Sequence, residues 1–324
     1  MAERPNSNNM YVEQGYKGEI GLWKYFILPV GFIGFMALNY IALLFSPISA
    51  DEAMAQMIDQ FGVNLVLIIN LGFLAVGLLV VLGWTFLVHR QSITSLTTSR
   101  QRIDFKRIFM AFFIWGGFIA AVNLLDVFYL SPDDYEFNFD LQKFLVLLPI
   151  AVILIPLQTS FEEYLFRGHM MQGLGILARN RWVPLVVTSV LFGLMHIANP
   201  EVGKVGYIIM VYYIGTGFFL GITTLMDEGL ELALGFHAAN NLVGVLLVTS
   251  SWGALQSDSI FKSIAEPSAA VLSEIVFPVF IVFPILLFVF SKMYNWSNWN
   301  EKLFGKVMTE REFKLADSGD TPQI

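Results

Sequence analysis

Eight long stretches of this chain contain no Asp, Glu, Lys or Arg. They run 25–50, 60–88, 108–125, 144–161, 182–200, 205–226, 232–257 and 275–291. A bilayer crossing takes roughly 20 apolar residues as a helix, and the shorter stretches can extend past a flanking charge, as 108–125 does through Asp126. Backbone groups in lipid must be satisfied within the segment, so each stretch is expected to be helical. A transmembrane barrel would need alternating apolar and polar residues, and no such alternation is visible. The predicted fold class is all-α: a polytopic integral membrane protein of about eight transmembrane helices.

The fourth stretch is ambiguous. Apolar character continues beyond Phe161 to Ala178, which is too long for one simple crossing. Pro156 could end a first, surface-lying segment. The expected span runs from about 152 to 178, with Glu162 and Glu163 inside it. Five units follow: an N-terminal tail (1–22), three spans (23–143), a core (144–250), an outer loop with the last span (251–294) and a C-terminal tail (295–324).

Charge orients these spans. The loop 89–107 carries Arg90, Arg100, Arg102, Lys106 and Arg107. The turn near 179–181 carries Arg179 and Arg181, and Arg4, Lys17 and Lys24 precede or open the first span. Lys292, Lys302, Lys306, Arg311 and Lys314 sit towards the C-terminus. The alternate loops hold Lys143, Lys204 and Lys262 among many acids. By the positive-inside rule both termini face the cytoplasm. The short, polar-tailed architecture reads as a protein of the bacterial cytoplasmic membrane.

Composition agrees with a lipid-embedded chain. Of 324 residues 56% are hydrophobic and 14% charged, against about 25% charged in soluble domains. The net charge of −7 lies mainly in tails and loops, and no basic strip for nucleic acid appears. Cysteine is absent, which excludes a thiol nucleophile, a disulfide framework and a thiolate metal site.

Against that background the segment FEEYLFRGHM (161–170) stands out. Ionisable groups in a span are expensive and are functional candidates by default. Here they are Glu162, Glu163, Arg167, His169, His196 and His237, with Asn240 and Asn241. His89 sits at a basic loop edge and Asp126 at a helix end. Glu163 and Arg167 are i,i+4, the spacing of an ion pair along one helix face. That leaves Glu162 as an unpaired carboxylate suited to general-base work. Phe192 and His196 repeat the i,i+4 spacing, so the ring can support the imidazole. So do His237 and Asn241, which can both donate towards one point, as an oxyanion requires. Glu162 lies 17 residues before Arg179 and His196 lies 15 after Arg181. Both are then about 22–26 Å from the same turn, at 1.5 Å per residue, and would meet in an antiparallel helix pair. His237, nine residues past Glu228, is expected at a shallower depth. His169 is i+7 from Glu162 on a similar face and is a weaker candidate.

Each feature has a bland reading. A Glu–Arg pair can be structural, a buried His is often a packing residue, and Asn in a span often bridges helices. Their co-occurrence on three neighbouring spans favours a site. Other membrane-protease chemistries are missing: there is no HExxH, no GxGD and no GxS serine site in a span, and Ser160 has no base beside it.

The remaining set resembles the CAAX protease and bacteriocin-processing (CPBP, or Abi) family of intramembrane proteases, which includes the eukaryotic type II CAAX prenyl endopeptidase. EExxxR appears as Glu162-Glu163-Tyr-Leu-Phe-Arg167, FxxxH as Phe192 to His196 and HxxxN as His237 to Asn241. The resemblance covers roughly 145–250. It implies hydrolysis of a peptide bond in a membrane-associated protein or peptide, with the bilayer as context. Glu162 would activate water with help from His196, His237 and Asn241 would hold the oxyanion, and Glu163, Arg167 and Phe192 would support the site. No cofactor is favoured. A zinc ion, if held, would take Glu162, Glu163, His196 and His237. A proton-coupled transporter and a non-catalytic immunity or scaffold protein are the competing readings.

Overall fold

The computed structural model describes residues 10–265 and 275–318. Arg4, the ends of both expected tails and residues 266–274 of the expected outer loop lie outside the described residues.

A short 3-10 segment, Val12–Lys17, precedes the first long helix. The helices are α1 (Leu22–Leu44), α2 (Ala50–Phe61), α3 (Val63–Leu87), α4 (Ile93–Thr97), α5 (Phe105–Leu125), α6 (Leu141–Glu163), α7 (Met171–Ala178), α8 (Trp182–Leu194), α9 (Pro200–Val205), α10 (Met210–Asp227), α11 (Glu231–Leu247), α12 (Phe283–Met293), α13 (Trp299–Phe304) and α14 (Glu310–Ser318). Among the described residues five helices are long and apolar enough to cross a membrane: Leu22–Leu44, Val63–Leu87, Phe105–Leu130, Leu141–Ala178 and Tyr207–Asp227. Three shorter apolar helices, Trp182–Leu194, Glu231–Leu247 and Pro278–Met293, occupy the other expected positions. The protein is therefore an all-α polytopic membrane protein.

Two expected spans change shape. The stretch 182–200 is helical only to Leu194, so His196 lies in the turn beyond α8. The stretch 232–257 is helical only to Leu247 and then turns into a strand. Three strands, β1 (Tyr135–Phe137), β2 (Val248–Ser250) and β3 (Phe261–Ser263), form a small sheet in the order β1-β3-β2. Val248, Thr249 and the strand-rich Phe261–Ser263 segment lie where the chain leaves the apolar core. There neighbouring loops can satisfy the backbone.

The fourth expected span, 152–178, is instead part of one continuous helix from Leu141 to Ala178. Pro156 does not end it. Membrane helices tolerate proline, and the helix is unbroken on both sides of Pro156. The wider π turn Tyr164–Met170 joins α6 to α7. At its far end Arg179 adopts a left-handed backbone (φ 54°), which stops the helix.

The surface is inverted relative to a soluble protein. Leu79, Phe86, Phe113 and Val30 are largely exposed, whereas Glu163, Arg167 and Glu231 are fully buried. Exposed apolar side chains on α1, α3 and α5 suit lipid, and the polar groups face inward. Helices approach closely where glycine removes the side chain. A Cβ on Gly235 would lie 2.0 Å from the Ile108 carbonyl oxygen, and one on Gly217 would lie 2.4 Å from that of Ser189. Those glycines set α11 against α5 and α10 against α8.

Charge sorts the two ends as the loops predict. At one end Arg181 meets Glu13 (3.0 Å) and Arg100 meets Asp227 and Glu231. Asn180 and Lys306 form a β-bridge at the same end. At the other, Lys204 pairs with Asp51 (2.7 Å) and Lys262 lies opposite Glu136 in the sheet.

Candidate active site

Four elements bring the polar residues of the core together. α6 contributes Gln158, Glu162 and Glu163, and the π turn contributes Arg167. α8 supplies Phe192, with His196 just past its end. α11 supplies His237, Asn240 and Asn241. Glu162, Phe192, His196, His237 and Asn241 all line one cavity of about 680 Å³.

The expected pair forms. Arg167 Nη1 donates to Glu163 Oε1 at 3.1 Å, and both side chains are fully buried. Arg167 Nη2 donates to the Gly217 carbonyl at 3.0 Å, and the guanidinium stacks 4.1 Å from the Phe192 ring centroid. Gly217 therefore serves two ends: it lets α10 approach α8 and it offers the oxygen that receives Arg167.

Glu163 has a second partner. His237 Nδ1 lies 2.8 Å from Glu163 Oε1. An ionised carboxylate only accepts, so this ring nitrogen carries the hydrogen and Nε2 is turned towards the cavity. His237 Nε2 is 3.6 Å from Glu162 Oε2. Depth counted from Glu228 set His237 too shallow, but the inter-helix packing brings it level with the two glutamates.

Glu162 is held differently. Gln158 Nε2 donates to its Oε1 at 2.7 Å, while its buried Oε2 accepts no hydrogen bond. Asn241 Nδ2 donates to Gln158 Oε1 at 3.1 Å, Asn240 Nδ2 to Asn241 Oδ1 at 3.2 Å, and Trp115 Nε1 to Asn240 Oδ1 at 3.1 Å. This chain of amides runs from α5 through α11 to the carboxylate. Sequence reasoning missed Gln158 and Trp115. Gln158 had a signal: a polar residue in an apolar run, i−4 from Glu162. Trp115 had none, since its role depends on the α5–α11 contact.

His196 Nδ1 lies 2.8 Å from the Phe192 carbonyl. A carbonyl only accepts, so Nδ1 carries the hydrogen and Nε2 offers a lone pair. The Phe192 ring supports this imidazole at 5.1 Å between centroids and His237 at 5.8 Å.

Three residues fall elsewhere. His169 is buried against Tyr25 and His89, with ring centroids 5.3 and 5.1 Å away. It lies past the start of the π turn, whose larger circumference carries an i+7 residue off the face that α-helical spacing assigns. His89, at its loop edge, is itself buried, with Nδ1 3.1 Å from the Glu19 carbonyl. Asp126 caps the end of α5 and accepts from the Tyr135 hydroxyl.

The residues present do not fit the zinc option as arranged. Among the described residues no three His, Asp or Glu side chains converge on one point as metal ligands. Glu163 Oε1 already receives Arg167 and His237.

The fold and this cavity define a class: a multi-span helical membrane protein that gathers a buried glutamate pair, two histidines and a chain of amides around one cavity. The family model "Type II CAAX prenyl endopeptidase Rce1-like" matches residues 141–243, the stretch that carries all three motifs. The chain is also 30% identical over 258 residues to the uncharacterized protein YyaK of Bacillus subtilis (strain 168), spanning 74% of this chain and 84% of that one. No solved structure matches it. The chain belongs to the Rce1-like family, within the CAAX protease and bacteriocin-processing proteins.

Proposed function

We propose that this protein is an intramembrane endopeptidase that hydrolyses a peptide bond of a membrane-associated protein or peptide without a metal. The observation that carries the reading is Glu162 Oε2: a buried carboxylate oxygen with no hydrogen-bond partner, facing a cavity it shares with His196, His237 and Asn241.

Water in the cavity gives a proton to Glu162 as its oxygen attacks the substrate carbonyl carbon. The new C–O bond converts the carbonyl to a tetrahedral oxyanion. Asn241 Nδ2 has a second hydrogen beyond the one given to Gln158. To hold the oxyanion His237 must donate from Nε2 as well as from Nδ1, which Glu163 receives. These two donors hold the oxyanion, and Glu163 together with the oxyanion itself offsets the imidazolium charge, Glu162 being neutral once it holds the water proton. When the C–N bond breaks, the proton returns from Glu162 to the leaving amine, with His196 Nε2 as a nearby acceptor and relay. Arg167 and Phe192 position these groups and touch no reacting atom.

We further assign the end rich in Arg and Lys, with both termini, to the cytoplasmic side of a bacterial membrane. The cavity reaches Met54, Asn199 and Ala254, which belong to the opposite end. Substrate then enters from that side or from the bilayer. Peptide maturation, bacteriocin self-immunity and membrane-protein processing are all uses of this chemistry.

The test is cleavage of a peptide library in liposomes by wild type, Glu162→Ala and His196→Ala. Wild type is expected to cleave, Glu162→Ala to be inactive and His196→Ala to be slow. Equal cleavage by all three would refute the mechanism.

A further inference from the structure

The cavity holds a second carboxylate that the hydrolytic scheme does not use. Glu201 stands in the first turn of α9 and lines the same space as Glu162. Its Oε1 accepts from the Tyr213 hydroxyl at 3.1 Å, and Asn199 Nδ2 donates to that hydroxyl at 3.3 Å. The Tyr213 ring stacks on His196, 4.4 Å between centroids and 13° from parallel. Glu201 is thus tied to the His196 side of the site.

The other oxygen has no such role. The backbone amides of Glu201 and Ala254 lie close to the carboxylate, yet Oε2 is buried and receives no hydrogen bond of ordinary geometry. Among the described residues no Lys or Arg pairs with Glu201. Lys204, one turn along, is taken by Asp51 at 2.7 Å. A carboxylate oxygen held away from water without a cation is unfavourable, and the cost falls when a charged partner arrives. Another part of the lining is mostly apolar, with Asn39 and Asn70 the polar exceptions on α1 and α3. Phe32, Phe35 and Met36 of α1 and Phe73 and Leu74 of α3 line it. Phe32 packs on Phe161, next to Glu162, at 4.9 Å. The cavity therefore combines an apolar lining from α1 and α3 with a second carboxylate, Glu201, tied to His196 through Tyr213.

We propose that Glu201 is a specificity-determining residue. It receives the ammonium or guanidinium of a Lys or Arg in the substrate, close to the scissile bond, while the α1–α3 wall takes apolar side chains on the other side of that bond. The assignment rests on the endopeptidase reading above.

The experiment uses the full-length protein in liposomes and N-acetylated peptides, so that no terminal amine competes. Each position in turn carries Lys, Arg, norleucine, citrulline or Glu. At one fixed position wild type should cut Lys or Arg peptides roughly tenfold or more faster than the neutral isosteres, the size of one charge-assisted contact. Glu201→Gln should lose that preference yet cut the neutral peptides at the wild-type rate, which also proves it folded. Glu201→Lys should favour Glu at the same position. Tyr213→Phe should slow all peptides alike and keep the basic preference. A basic preference that survives Glu201→Gln would overturn the subsite. So would an equal loss on basic and neutral peptides, because Glu201 would then act only by holding Tyr213 against His196. If wild type cuts no peptide, the endopeptidase reading fails and the subsite with it.

Discussion

At the end that gathers the basic loops, Glu13, Asp227, Glu228 and Glu231 are as buried as Glu162 and Glu163 are in the cavity. Each of the four lies within 4 Å of a Lys or Arg: Arg181 for Glu13, Arg100 and Arg107 for Asp227, Arg181 and Lys302 for Glu228, and Arg100 for Glu231. Tyr11 adds its backbone N–H to Glu228 at 2.6 Å and its hydroxyl to the Arg167 carbonyl at 3.0 Å. At the candidate site, among the described residues, Glu163 has an arginine and Glu162 has none. Glu162 has the Gln158 amide on one oxygen, and its other oxygen accepts no hydrogen bond and has beside it only the His237 ring, with Nε2 3.6 Å away. The first region answers nearly every buried charge and so fastens the termini and loops. The second leaves one carboxylate oxygen without a hydrogen bond and without a Lys or Arg, beside a space large enough for a peptide segment. Pairing is what separates a structural charge from a reactive one.

The largest effect that tests this contrast is on rate. Glu162→Gln keeps an oxygen for Gln158 but cannot take a proton, so peptide cleavage should fall by about 10²–10⁴-fold. Thermal stability should stay the same or rise, because an unpaired charge has been removed. A variant that cleaves at the wild-type rate would return Glu162 to a structural role.

Next come the two arginines. Arg167→Met strands Glu163, and Arg181→Met strands Glu13. Each should lose about 3–5 kcal/mol of stability, the usual result of breaking a buried pair from one side. Only Arg167→Met should also slow cleavage in the fraction that remains folded. Denaturation in detergent with parallel assays separates them, and equal loss of activity per folded molecule would blur the distinction between the regions.

A third test uses pH. Burial pushes Glu228 up from its ordinary 4.5 to about 7, against the pull of Arg181 and Lys302 and with Glu13 adding to the rise. The folded state therefore holds this proton more tightly than the unfolded chain. Its contribution is full below about pH 4.5, declines as pH rises, and is lost above about 7, a change of about 3 kcal/mol. Glu228→Gln should flatten that part of the melting profile between pH 5 and 8 and leave cleavage untouched. An unchanged slope would mean that other groups govern it.

A smaller effect belongs to the amide chain. Gln158→Leu should lower the turnover number roughly tenfold, about the worth of one hydrogen bond to a charged group, with KM little changed. The smallest expected effect is that of chelation: exhaustive metal removal should leave cleavage unaltered, and loss restored by zinc would revive the metal scheme.

The two regions also differ in how far the sequence discloses them. The Glu163–Arg167 pair is legible because i,i+4 spacing on a helix has one geometric meaning. The Phe192–His196 support is legible for a related reason, although His196 lies past the helix end. The charged end was read only as loops that orient the spans. Glu13, Asp227, Glu228 and Glu231 look like ordinary polar punctuation. Nothing local says that Arg100, Arg107 and Arg181 fold over them. His169 was misplaced because a π turn cannot be read from side-chain periodicity. Glu201 went unnoticed because it sits just outside an apolar stretch.

By itself the sequence determined the helical membrane class, the approximate positions of the apolar stretches, the sorting of charge between two ends and the three motifs. These follow from properties of single residues or of neighbours on one helix: hydropathy, charge and 3.6-residue spacing. The tertiary structure alone decided that His237 reaches Glu163, that Gln158 and Trp115 join the site, that the long fourth helix runs unbroken through Pro156, and that Glu162 and Glu201 keep free oxygens at one cavity. Those outcomes depend on how closely helices approach, which glycines such as Gly217 and Gly235 set, and on which distant partner each buried charge finds.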